Sequence, residues 1–288
     1  MLIIVNLVVF VILTFIQVFF YFIYREDGQA DALFQERILK WFVLPADPGE
    51  LASKPWTVIT YMFSHTRVLH ILGNTLWLWA FGYILQDLTG PKKIFPIFIY
   101  GGLAGALAFL LSYNLFPGLQ SQAPNSVLLG ASAGIMAIAV ATTMIAPRYR
   151  IFPMLNGGIP LWVITVLYLV VDLATIPRNN AGGHIAHLGG AFMGFIFMVM
   201  YRRGYDWSEW MSNFFDWINN LFNPDKPRKG KSVKEQLFYK SETRPYKKTP
   251  NVTQQRIDDI LDKINQKGYH YLTEEEKELL KRASKEDL

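Results

Sequence analysis

Residues 2–24, LIIVNLVVFVILTFIQVFFYFIY, hold no charged side chain. A helix needs about 20 mostly apolar residues to cross a bilayer, at about 1.5 Å of rise each. In lipid, only helices and closed barrels satisfy every backbone polar group. Further apolar runs lie near 68–88, 93–114, 126–146, 159–177 and 182–202. The expected fold is therefore an all-α polytopic membrane protein, a six-transmembrane-helix bundle followed by a small helical tail. The first run is too long for the apolar core of a secretory signal, and no small-residue cleavage site follows it, so it is expected to stay as an anchor.

Charge sets the expected orientation. Lys92 and Lys93 close the second run, Arg148 and Arg150 the fourth, and Arg202 and Arg203 the sixth. Residues 115–125 carry no charge, and 178–181 carry only Arg178. Lys and Arg accumulate on the cytoplasmic side, which puts both termini inside and runs spans two, four and six from the outer surface inward. The chain has no cysteine, which excludes disulfides and thiolate metal sites. It also lacks the basic-and-aromatic pattern of a nucleic-acid reader, so no nucleic-acid partner is expected.

Those three inward-running spans carry polar residues near their outer ends. His70 and Asn74 are four apart in the second, Ser132 lies in the fourth, and His184 and His187 are three apart in the sixth. Each is expected one to two turns in, about 5–10 Å along its helix. Ionisable residues at membrane depth are costly and default to function. Small residues surround them: Gly130, Ala131, Ala133, Gly134 and Ala137 in the fourth span, and Ala186, Gly190 and Gly194 in the sixth. Such spacing lets helix backbones approach closely, which would bring Ser132 within reach of His187. Serine alone is a poor nucleophile, but an adjacent imidazole can take its proton during attack and return it to a leaving amine. Backbone N–H groups near Ser132, with the side chains of His70 and Asn74, would supply the donors an oxyanion needs.

Taken singly, these residues have plainer readings. Ser132 alone reads as a small packing residue bonded to a carbonyl one turn back, and His187 alone as a satisfied core histidine. His184 reads as structural or solvent-facing, and His65 as structural. Asp172, near the outer end of the fifth span, reads as an interfacial or structural carboxylate, the alternative being that it orients His187 as a triad's third member does. No HExxH occurs, and no span carboxylate is seen to join the four histidines, so neither a metal ion nor a cofactor is expected.

The motifs GASA (130–133), AHLGG (186–190) and HTRVLHILGN (65–74), the last followed by LWLWAFG (76–82), resemble the rhomboid intramembrane serine proteases. The resemblance covers residues 1–202. It implies a rhomboid-like bundle of the bacterial six-span form, with Ser132 as nucleophile and His187 as base, a dyad without metal or cofactor. It implies Asn74, His70 and the Ser132 N–H as oxyanion donors, with Gly130 and His65 as supporting motif positions. Transmembrane proteins would be the substrates, cut near the outer ends of their spans, in a bacterial inner membrane. Three positions depart. Met136 stands where the family often has an aromatic stacked on the histidine, Gln86 where it often has a glutamate bracing the first loop, and Trp56–Thr57 where it has Trp–Arg. The alternative function is a non-proteolytic rhomboid-like factor that binds membrane proteins for quality control; inactive relatives typically lose the serine or the histidine, and both are present here.

After the sixth span, residues 203–222 place apolar side chains at 207, 210, 211, 214, 217, 218 and 221, one face of a helix expected to lie in the bilayer interface. Residues 223–251, rich in Lys, Arg and Pro, read as a basic disordered linker. Residues 252–288 read as a helical hairpin, stopped once by Gly268 and restarted by a Thr273/Glu276 capping box. That hairpin resembles a module on the tails of some bacterial rhomboids and is read as a docking or self-association element for a cytoplasmic partner.

Overall fold

The computed structural model describes residues 1–25, 29–152, 154, 157–178, 180–221 and 254–284. The first apolar run forms helix α1 (Leu2–Tyr24). The next segment is not a plain loop. It folds into α2 (Ala30–Arg37), α3 (Pro48–Ser53) and α4 (Thr57–Thr60), with single 3₁₀ turns at Leu39–Trp41 and Tyr61–Phe63. Helices α5 (Val68–Thr89) and α6 (Ile94–Leu115) follow, then the short α7 (Pro117–Gln120). After α8 (Ser132–Ile145) come α9 (Leu161–Thr175), α10 (Ala181–Arg202) and α11 (Glu209–Leu221).

By length and composition, Leu2–Tyr24, Val68–Thr89, Pro91–Leu115 and Ala181–Arg202 can each cross a membrane. The expected fourth and fifth spans are shorter than their apolar runs. Helix α8 has 14 residues and α9 has 15, about 21–23 Å each, against about 30 Å of hydrocarbon. The cause is local. Residues Val127–Leu128 (β2) are drawn out to pair antiparallel with Leu44–Pro45 (β1). Gly130 then turns the chain at φ +115°, a conformation that side chains resist. At the other end, Arg150–Ile151 (β3) pairs with Ile159–Pro160 (β4) and takes the residues flanking α8 and α9.

The core is a three-helix wedge of α6, α8 and α10, held together by missing side chains. A Cβ at Gly190 would strike the carbonyl oxygen of Ala133, and one at Gly194 that of Ala137. A Cβ at Gly101 would strike the methyl of Ala137, and one at Gly105 would sit 2.9 Å from the Ala186 oxygen. Lipid tails are as apolar as leucine, so packing of this closeness has to do the work that water exclusion does elsewhere. The close approach of the fourth and sixth spans is thus as expected. The role of α6, spelled by GGLAGALA at 101–108, was not.

At the opposite end from Ser132, Lys93 pairs with Asp206 beyond α10, Lys92 lies 3.4 Å from Asp216 of α11, and the Arg202 guanidinium donates to the Met144 carbonyl. Helix α11 exposes Trp210, Phe214, Trp217 and Leu221 and buries Met211. The expected basic linker lies outside the described residues. The second unit, described by itself, comprises α12 (Gln254–Lys267) and α13 (Glu274–Ala283) around Ile260, Leu272 and Leu279. Gly268, at φ +88°, ends α12, and Thr273 and Glu276 form the reciprocal cap of α13.

Candidate active site

Helix α8 delivers Ser132 as its first residue, not one to two turns in as the apolar run suggested. The N–H groups at a helix start lack intrahelical partners, so the backbone here offers free donors beside the hydroxyl. Helix α10 delivers His187, and the two meet with Nε2 2.6 Å from Ser132 Oγ. The carbonyl of Ala133 against Gly190 sets that separation: each helix approaches the other one residue or one turn from the hydrogen-bonded pair.

His70 and Asn74 reach the same place from α5. A Cβ at Gly130 would lie 2.7 Å from His70 Cε1 and 3.6 Å from Asn74 Nδ2, so both side chains line the backbone just before Ser132. Glycine at 130 is required twice, by its φ and by this contact. His65, fully buried, holds the arrangement together. Its Nε2 lies 2.7 Å from Asn74 Nδ2 and 3.4 Å from the Ala131 N–H. A backbone N–H can only donate, so Nε2 is the acceptor and the Asn74 amide is a donor too. The ring also packs edge-on against His70, with centroids 4.9 Å apart.

Around His187 the structure adds to the sequence reading and overturns one part of it. Met136 is buried and leaves no aromatic on its own helix to face the imidazole. Tyr168 of α9 takes that place, its ring 6.0 Å from His187 and edge-on, and is itself stacked on Trp77. The expectation that no span carboxylate joins the histidines is overturned. Asp172, 2% exposed, has Oδ1 3.0 Å and Oδ2 3.1 Å from His187 Nδ1. His184, read as structural or solvent-facing, places Nδ1 2.8 Å from the same Oδ1. These three donor groups lie within 4.8 Å of one another. The helical period explains the gathering: 184 and 187 share a face of α10, and Asp172 is one turn from the end of α9.

The first loop is braced by its own contacts. Trp56 stacks on Trp41 at 6.1 Å and donates its Nε1–H to the Trp41 carbonyl, while Tyr61 donates to the Gly102 carbonyl across to α6. Gln86, exposed near the C-terminal end of α5, is at the end of that helix away from His70 and Asn74.

These features define a class: a helical membrane protein with a serine and a histidine in hydrogen-bond contact inside the bundle. The Rhomboid domain family matches residues 52–204, and the chain belongs to that family. Among curated proteins, it is 25% identical over 157 residues to RHOMBOID-like protein 12, mitochondrial, of Arabidopsis thaliana, covering 51% of this chain and 47% of that one. It is 29% identical to Rhomboid protein 1, mitochondrial, of Saccharomyces cerevisiae, covering 49% of this chain and 40% of the relative. Over 95 residues it is 27% identical to Rhomboid protease GlpG of Salmonella newport, covering 27% of this chain and 34% of that protease. The chain thus spans about half the length, or less, of the curated relatives it matches. Residues 244–286 match a separate family of unknown function.

Proposed function

We propose that the protein is an intramembrane serine endopeptidase that hydrolyses peptide bonds in or near transmembrane segments of other membrane proteins. The observation that carries this reading is the 2.6 Å contact between His187 Nε2 and Ser132 Oγ. As Oγ attacks a substrate carbonyl carbon, its proton passes to Nε2. As the carbon–nitrogen bond breaks, that proton passes to the leaving amine. Water then attacks the acyl-enzyme by the same route in reverse roles. The developing oxyanion is met by the Ser132 N–H, the Asn74 amide and the His70 ring, donors of the kind whose loss typically costs about 10²–10³ in rate.

The shortness of α8 supports chemistry below the surface. Ser132 starts a helix about 21 Å long, and that helix ends at the basic turn holding Arg148 and Arg150. With the basic end at the cytoplasmic surface, Ser132 lies inside the hydrocarbon layer on the outer side. A bacterial cytoplasmic membrane with both termini inside fits this charge pattern, and α11, with its exposed aromatic stripe, fits the inner interface. The helical unit at 254–284 we read as a docking element for a cytoplasmic partner.

The test uses purified full-length protein in detergent with a fluorescent fluorophosphonate. Wild type is expected to label, and Ser132→Ala and His187→Ala are expected not to. Unlabelled wild type that unfolds cooperatively would instead favour a rhomboid-like factor that binds membrane proteins without cutting them.

A further inference from the structure

We propose that Asp172 is the positioning residue of this site: it fixes the tautomer of His187 and stabilises the imidazolium, while His184 fixes the carboxylate. The proposal rests on the reading of Ser132 and His187 as nucleophile and base.

A carboxylate buried in a membrane bundle is costly unless it is paired and hydrogen-bonded. Asp172 is 2% exposed, and two imidazole Nδ1 atoms meet it at 2.8 and 3.0 Å. An ionised carboxylate only accepts, so the proton of His187 must sit on Nδ1. Nε2 then carries the lone pair, and it is Nε2 that faces Ser132 Oγ. Without Asp172, nothing in that geometry selects the basic nitrogen for the serine. When Nε2 takes the Ser132 proton, the ring becomes a cation beside the carboxylate, where attraction is stronger than in water. The proton stays on the imidazole until the leaving amine receives it, and Asp172 remains ionised throughout.

His184 has a separate part. Its Nδ1 binds Oδ1, the oxygen that also faces His187, and lies 3.3 Å from Thr175 Oγ1. Because 184 and 187 stand on the same face of α10, the two rings hold the carboxylate of α9 from two sides, at ring centroids 6.0 Å apart. Tyr168 closes the apolar side of the His187 ring.

A simple tie between α9 and α10 would predict something else, and so would a cation held by the same three donors. Wild type, Asp172→Asn, Asp172→Glu and Ser132→Ala would be compared as full-length proteins in detergent, reading the second-order rate of fluorophosphonate labelling and thermal unfolding. Nitrogen-15 NMR of the His187 ring would report the tautomer. The amide of Asn donates toward Nδ1 and favours the Nε2–H form, so Asp172→Asn is expected to slow labelling by about 10²–10⁴ with little change in unfolding. Asp172→Glu is expected to recover at least about tenfold of that loss, since the carboxylate returns. The proton is expected on Nδ1 in wild type and on Nε2 in Asp172→Asn.

Labelling of Asp172→Asn within about threefold of wild type would leave only a structural tie and overturn the proposal. So would an Nε2–H tautomer in wild type, which can be read even if no probe reacts. Loss of wild-type labelling in EDTA, restored by zinc, would assign the three donors to a metal and overturn it as well. Labelling of Ser132→Ala at the wild-type rate would sink the catalytic reading itself, an outcome distinct from all of these.

Discussion

Helices α1 and α8 are both strongly apolar, yet they do different things. In α1, only Leu2, Asn6 and Leu13 are buried, and Phe15, Phe19 and Phe22 stand out at 63–76% exposure. In α8, every residue from Ala133 to Thr142 is buried. What α8 has and α1 lacks is small residues: Ala133, Gly134, Ala137, Ala139 and Ala141 interleave with its larger ones. Leucine, isoleucine and phenylalanine suit lipid and keep neighbours away. Glycine and alanine lose that contact with lipid and gain backbone-to-backbone packing. The Ser132–His187 contact is mounted where the small residues are, because a 2.6 Å hydrogen bond between two helices needs helices that cannot drift.

Replacing Gly190 should break this difference most sharply. Its Cβ would meet the Ala133 carbonyl, which is backbone and has nowhere to go. Gly190→Ala should part α8 from α10 beside Ser132 and cost about 1–3 kcal/mol. Labelling of Ser132 should fall by at least about 10²-fold, since a misplacement of about 1 Å at a reacting pair has that effect. Gly190→Leu should not accumulate as a folded protein. Fluorophosphonate rates and detergent thermal unfolding check both. Full activity in Gly190→Ala would mean that the two helices are not locked at this contact.

Much of this was legible beforehand, for a definable reason. Apolar length reports membrane helices, and glycine at a spacing of four reports close approach, so the approach of α8 to α10 and the meeting of Ser132 with His187 could be read directly, whereas the place of α6 in the wedge could not. The ends of the helices could not. Run length gave 126–146, but the helix begins at Ser132, because a two-residue strand pairing with Leu44–Pro45 draws out the residues before it. Hydropathy carries no trace of a partner some eighty residues away. The same limit applies to Tyr168 and Asp172. Periodicity tells which residues share a face of α9, but not which face meets α10. Asp172 did carry one signal, a carboxylate in an otherwise apolar run.

A smaller effect is expected at the far end of the wedge, where Asp206 fastens the exit of α10 to the entrance of α6 through Lys93. Burial would raise the Asp206 carboxyl, but hydrogen bonds from Lys93 and Ser208 outweigh it and hold the pKa below the ordinary carboxylate value. A depressed carboxyl stabilises the fold above its unfolded pKa, about 3.9, and the contribution is lost as pH falls through the lower folded value. Wild type should therefore lose thermal stability through that acid range. Asp206→Asn should lose about 1–2 kcal/mol at neutral pH and show a flatter acid limb. Equal slopes in the two proteins would show that this ion pair does not secure α10.

The least effect is expected on α1, and its smallness is what tests the comparison. Phe15 is 73% exposed and points away from the bundle. Phe15→Ala keeps the helix apolar, alanine being a good helix former, and removes a ring that meets lipid rather than protein. Stability should change by no more than about 0.5 kcal/mol, with labelling of Ser132 unchanged. Leu13, 2% exposed in a small cluster with Phe34 and Val43, is the internal control: Leu13→Ala should cost several times more, though it lies on the same helix and removes fewer atoms. If both substitutions cost the same, burial would not be what separates α1 from α8. If Phe15→Ala alone abolished labelling, the exposed face of α1 would be supporting the site through a contact that residue size does not predict.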